Sequence, residues 1–168
     1  MSVSGGNDTD ITLEYDGSSW TAGGDLGSAR VRGFGSGTQT AGMYSGGALG
    51  TSPYAVQTAV EQYDGSSWTA IPASLNAGQS GYTSNNVGTS SRDTAIVAGG
   101  HAGSPASVTG VTQIYDGSTW RTAPSMATAR QTSLTGDSSA ALAVAGGSNI
   151  TTVEEFAASK AVKVITDS

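Results

Sequence analysis

Tyr-Asp-Gly-Ser-Ser-Trp stands at residues 15–20 and again at 63–68, and the same string with Thr in fifth place stands at 115–120. Three nearly identical hexapeptides within 168 residues make this a repeat chain. Asp-Gly between two large aromatics is a strong turn signal, since the backbone can reverse at the glycine while Tyr and Trp meet across the hairpin. Whatever the chain builds is therefore a series of like β units.

The chain order around each string fixes the unit. Ile11, Leu13 and Tyr15 alternate with Thr12 and Glu14, which predicts a half-buried strand entering the first turn. A polar loop then leads to Ala41-Gly-Met-Tyr-Ser-Gly46-Gly47, read as a buried strand ending in a turn that needs positive φ. The order recurs with 59–63 into Trp68 and 93–98 into Gly99-Gly100, then with 111–115 into Trp120 and 140–145 into Gly146-Gly147. Trp to double Gly takes 26 residues in the first and third copies and 31 in the second, so an insertion is expected within 79–92. The last copy is degenerate. Thr152–Phe156 replaces the strand into Tyr, Ala-Ala-Ser-Lys replaces the Asp-Gly turn, and 161–166 is a further strand by propensity. Residues 1–10 read as a flexible lead-in.

Leu, Ile, Val and Phe make up fewer than a fifth of the chain, a level that elsewhere raises the question of disorder. A net charge of −6 on few charged residues, with 11 aromatics and a strict repeat, points instead to an ordered protein rich in small residues. Without Cys there is no disulfide or thiol chemistry. Two lysines and five singly scattered arginines form no basic stripe, which argues against a nucleic-acid partner. The opening residues carry neither a basic segment nor an apolar run, and there is no stretch of 18 apolar residues, so neither a secretory signal nor a membrane partner is expected. Asn7-Asp-Thr9 and Asn149-Ile-Thr151 match the glycosylation pattern and read as chance in a Thr-rich chain.

A buried strand ending in Gly-Gly, a polar excursion, then a strand into Tyr with Trp just beyond, at a period of roughly 50 residues, resembles the kelch repeat, whose four-stranded units form propeller blades. Tyr and Trp stand closer together here than in most kelch repeats, and the turn is unusually uniform. The resemblance implies an all-β, kelch-like β-propeller of about three and a half blades: a half-blade at 11–29, then blades at about 30–78, 79–129 and 130–168, in a single domain over 11–168. Its core would be Tyr15, Trp20, Gly46, Gly47, Tyr63, Trp68, Gly99, Gly100, Tyr115, Trp120, Gly146, Gly147 and Phe156. The wording of the units, with Asp-Gly-Ser-Ser-Trp-Thr and Gly-Thr-Gln-Thr-Ala, is similar to kelch-like structural proteins of tailed bacteriophages. That implies a virion location and virion proteins, or copies of itself, as partners.

Candidate chemistry is sparse. His101 follows Gly99-Gly100 in a loop and has no positioned nucleophile or carboxylate, so it reads as a loop histidine. Asp16, Asp64 and Asp116 sit at equivalent turns, each offering one carboxylate where calcium gathers several oxygens, so bonding to their own turn backbone is the expectation. Gly33-Phe-Gly-Ser-Gly37 lacks the following helix and glycine spacing of a dinucleotide loop. The hexapeptide also resembles a shortened sialidase Asp-box, without the arginines for a carboxylate clamp. Galactose-oxidase-like chemistry would need a Cys-linked Tyr.

The expectation is a non-enzymatic virion structural protein, such as a capsid decoration, knob or tail-fibre component, with no cofactor and no metal. The alternative is a glycan- or protein-binding propeller acting in host-receptor attachment, with contact loops at 48–58 and 101–110 that include Tyr54 and His101. A half-blade at the start leaves an open sheet edge, which predicts that another chain completes it.

Overall fold

The computed structural model describes residues 2–3, 8–50, 54–81, 91–103, 107–144, 146, 151–158 and 160–165. Among them the chain is all-β, built of small antiparallel sheets with no helix. The first sheet orders β1 (Ser2–Val3), β2 (Thr12–Tyr15) and β3 (Trp20–Ala22) side by side. In the second, β4 (Phe34–Thr38) and β5 (Ala41–Ser45) are followed by a small hairpin of β6 (Ala48–Leu49) and β7 (Ala55–Val56), before β8 (Val60–Tyr63) and β9 (Trp68–Ala70) complete four strands in the order β4-β5-β8-β9.

The third unit opens with β10 (Gln79–Ser80) and β11 (Ile96–Ala98), continues through β12 (His101–Ala102) and β13 (Ser107–Val108), and ends in β14 (Thr112–Tyr115) and β15 (Trp120–Ala123). Its main sheet is β11-β14-β15, and β10-β12-β13 form a small sheet beside it. The fourth sheet runs β16 (Ser133–Gly136), β17 (Ala140–Val144), β18 (Val153–Ala157) and β19 (Lys160–Ile165) in chain order. The insertion expected within 79–92 falls largely on residues 82–90, outside the described residues.

The hairpin string forms as its residues dictate. Tyr15 is paired in register with Trp20, Tyr63 with Trp68 and Tyr115 with Trp120. Gly17, Gly65 and Gly117 take φ between +93° and +102°, conformations a side chain resists. The double glycines also work as expected. Gly46 and Gly99 lie at φ +62° and +70°, and a Cβ there would stand 2.3 Å from the Gln79 carbonyl oxygen and 2.4 Å from that of Arg130. Backbone of the next unit thus presses directly on each pair, and Gly47 and Gly100 donate their N–H groups to those same carbonyls. Gly146 has φ +115°, whereas Gly147 lies outside the described residues.

Consecutive sheets stack through the strands that carry the string. Phe34, Met43 and Val60 of the second sheet form one buried cluster with Val97, Tyr115 and Trp120 of the third unit. Ile96, Ile114 and Ala123 of the third form another with Ala141 and Phe156 of the fourth. Each of the first three sheets therefore has a leading face bearing Tyr and Trp, where the fourth bears Phe156, and a trailing face that receives the aromatic residues of the next.

Three expectations are corrected by this stacking. Residues 1–10 are not all lead-in, because Ser2–Val3 pairs with Thr12 and Leu13 and gives the first sheet a third strand. In β2 the buried residue is Thr12, with Ile11 and Tyr15 exposed, the reverse of the hydrophobic alternation. Contact with Trp68 selects the Thr12 face. In β17 burial alternates, with Leu142 and Val144 exposed, where the sequence implied a buried strand.

Candidate functional site

Two kinds of joint hold the stack together, and the first is aromatic. On the trailing face of the first sheet, Thr12 Oγ1 accepts a 2.8 Å hydrogen bond from Trp68 Nε1. Glu14 Oε1 accepts one from the Tyr63 hydroxyl. One unit later Gln62 stands beside the Tyr115 hydroxyl at the position equivalent to Glu14. Val60 stands where Thr12 stood and has no oxygen to offer, and Trp120 Nε1 is buried without a partner among the described residues. The tyrosine and tryptophan rings keep one geometry throughout, with centroids 5.1, 5.0 and 5.3 Å apart and planes tilted by 37°, 38° and 35°.

The second joint is a buried polar pair that the sequence reading missed. Arg30 Nη1 meets Glu61 Oε1 at 2.7 Å, and Arg130 Nη1 meets Glu154 Oε1 at the same distance, all four side chains being buried. Each guanidinium also donates through Nη2 to a strand carbonyl, that of Tyr44 or Ala143. Each carboxylate accepts a 2.7 Å bond from a backbone N–H, Gly27 or Ala127. In the middle unit the same places hold Gln79 and Gln113, joined at 2.6 Å, with Gln113 also bonded both ways to the Ala77 backbone. The pattern was present in the chain: Arg30, Gln79 and Arg130 follow Leu26, Leu75 and Met126 by four residues, and Glu61, Gln113 and Glu154 precede Tyr63, Tyr115 and Phe156 by two. Three singly placed residues look like scatter until the copies are aligned.

Of the residues expected to form the core, Tyr63, Trp68, Tyr115, Trp120 and Phe156 are buried. Tyr15 and Trp20 are not. They are 44% and 54% exposed, against 0% and 9% for Tyr63 and Trp68, because among the described residues no sheet stacks on the leading face of the first.

A third group gathers elsewhere, and in it His101, expected in a loop, lies in β12, paired with Ser80 and Val108. Tyr54 and His101, expected as contact residues, are brought near Arg32, which the sequence did not single out. Arg32 Nη2 donates to the Tyr54 hydroxyl at 2.7 Å, and its guanidinium lies 3.9 Å from the Tyr54 ring centroid. Burial, and secondarily the Arg32 charge, lower the His101 pKa. Arg32 is held at φ +60°, a conformation that costs a residue with a Cβ about 1–2 kcal/mol. The group combines a cation, a phenol and an imidazole at the junction of the small hairpins.

The turn aspartates are occupied by their own turns. Asp16 Oδ1 accepts from the Ser18 and Ser19 N–H groups at 2.7 and 2.8 Å, and Asp64 and Asp116 repeat the arrangement. These backbone bonds, aided by the neighbouring hydroxyls, lower all three pKa values, those of Asp64 and Asp116 to about 2. Among the described residues no group of three or more His, Cys, Asp or Glu side chains is placed to hold a metal ion.

No protein-family model matches the chain, and no curated protein does. Among solved structures it is similar to the structure of YjhT, with 13% sequence identity and a TM-score of 0.65 over 93% of this chain. It spans 58% of the length of that chain, and at this identity the likeness is one of fold alone.

Proposed function

We propose that this chain is a non-enzymatic structural module of a virion, a capsid decoration, knob or tail-fibre component that works by assembly and surface display. Its sheets are read as blades of a kelch-like β-propeller. The observation that carries the assembly half of the reading is the exposed Tyr15–Trp20 pair, which has the form of the buried pairs and no sheet over it among the described residues. The virion half rests on the resemblance of the repeated strings to phage kelch-like proteins. Immunogold labelling and mass spectrometry of purified particles test it: the chain in stoichiometric amount on virions supports the reading, and its absence from them defeats it.

A second reading, a glycan- or protein-binding propeller for host attachment, is favoured by one observation, the convergence of Arg32, Tyr54 and His101 from separate segments. A glycan array separates the two. Binding that is lost on Arg32→Ala would favour attachment, and a blank array with particle association would favour display.

A further inference from the structure

We infer that copies of this chain associate head to tail, with the Tyr15/Trp20 face of one copy's first sheet seated on the Leu142/Val153/Glu155 face of another copy's last sheet. The inference rests on the reading of the chain as an assembling module and names the partner as a second copy.

Both faces are copies of surfaces that are buried inside the stack. Register places Leu142 opposite Glu155 as Met43 is opposite Gln62 and Ile96 opposite Ile114. Met43 and Ile96 are 0% and 1% exposed under the following unit, whereas Leu142 is 37% exposed. At the next position on that face Ser45 and Ala98 are buried and Val144 is exposed. At the other end Tyr15 and Trp20 are exposed where their counterparts are buried. Exposed apolar side chains thus stand on the two halves of a joint that the chain forms internally.

The halves also match in detail. Tyr15 and Trp20 already hold the ring geometry of the docked pairs, so the pair itself is preorganised for seating. Glu155 occupies on β18 the place that Glu14 occupies on β2, and Glu14 accepts the hydroxyl of the docked Tyr63. Val153 takes the place of Val60, which lies in the cluster that buries Trp120. Leu13 supplies a further sign. It stands where Glu61, Gln113 and Glu154 stand in the other units, and those polar groups face an Arg or Gln brought in by the connecting segment. A joint between two copies has no connecting segment to bring that partner, and an apolar residue is the one that fits. Because the two faces differ, the contact is heterologous, and the rotation it imposes decides between a closed ring and an open filament.

Sedimentation velocity on the 168-residue protein tests this, with far-UV circular dichroism confirming that each variant folds. The wild type is expected to assemble with rising concentration, and Trp20→Ala and Leu142→Asp are each expected to remain monomeric. An equimolar mixture of the two variants is expected to form dimers and nothing larger, since each keeps one intact face. Glu155→Lys changes an exposed side chain and serves as the tail variant if Leu142→Asp fails to fold, and Tyr15→Ala likewise replaces Trp20→Ala. A wild type that stays monomeric at about 100 μM, above the micromolar range of weak specific contacts, overturns the inference. So do variants that assemble like the wild type, or a mixture that forms no dimer. Particle labelling is read independently, so a monomeric protein found on virions defeats the inference while leaving the structural role standing.

Discussion

A single oxygen distinguishes the two buried tryptophans. Trp68 Nε1 has Thr12 Oγ1, and Trp120 Nε1 has no partner among the described residues, because Thr at position 12 becomes Val at the equivalent position 60. A buried donor without a partner costs about 1–3 kcal/mol, so Thr12→Val is expected to destabilise by about 1–2 kcal/mol. Val60→Thr, nearly isosteric, is expected to stabilise by about 0.5–1 kcal/mol by supplying the missing acceptor. Urea denaturation checks the pair, and losses in both variants would show that hydrogen bonding does not decide these sites. The turn aspartates make a pH prediction at the same scale. Their folded pKa lies below the unfolded value of about 3.9, reaching about 2 for Asp64 and Asp116. Their contribution is therefore complete above about pH 4 and fades as pH falls toward about 2. Replacing Asp16, Asp64 and Asp116 together with Asn keeps a turn acceptor and removes the titration. The urea midpoint of that variant is expected to fall less between neutral pH and about pH 2.5 than that of the wild type.

Between elements, the buried Arg–Glu and Gln–Gln pairs solve one problem with two chemistries. A connecting segment must be fixed between stacked sheets, and its backbone N–H groups need acceptors there. An ion pair does this at a desolvation cost that its Coulomb attraction roughly offsets, so its effect is on registry more than on net stability. Glu154→Gln leaves the Arg130 charge buried without a counter-charge and is expected to cost about 3–5 kcal/mol. Adding Arg130→Gln copies the Gln79–Gln113 pair and is expected to recover most of that loss, which a double-mutant cycle in urea measures directly. These pairs also mark the limit of what the sequence made legible. The Tyr–Trp hairpins and the positive-φ double glycines could be read because turn chemistry is local and each copy repeats its own wording. The ion pairs span 24 and 31 residues and exchange residue type between units, so they emerge only when the copies are compared as packing positions. Likewise β2 misled because its hydrophobic alternation names Leu13 and Tyr15, whereas the face that is buried is chosen by Trp68 from the next unit.

At the scale of the whole molecule, a stack of like sheets buries each inner leading face under the trailing face before it, and among the described residues the leading face of the first sheet and the trailing face of the last keep exposed apolar side chains. The composition could not reveal this, since Tyr15 and Trp20 are the same residues in the same string as the pairs that are buried. Exposure is a property of position in the stack, and it makes Trp20 a reporter. In dilute solution Trp20, just over half exposed, is expected to dominate the red side of the emission, with Trp68 and Trp120, both buried, contributing the blue. Trp20→Phe is therefore expected to shift the spectrum to shorter wavelength and to remove most of the quenching by acrylamide. If head-to-tail contact forms, raising the concentration of the wild type blue-shifts its emission and protects it from acrylamide, while the spectrum of Leu142→Asp stays constant. Protection that appears equally in Leu142→Asp would place the contact somewhere other than the last sheet.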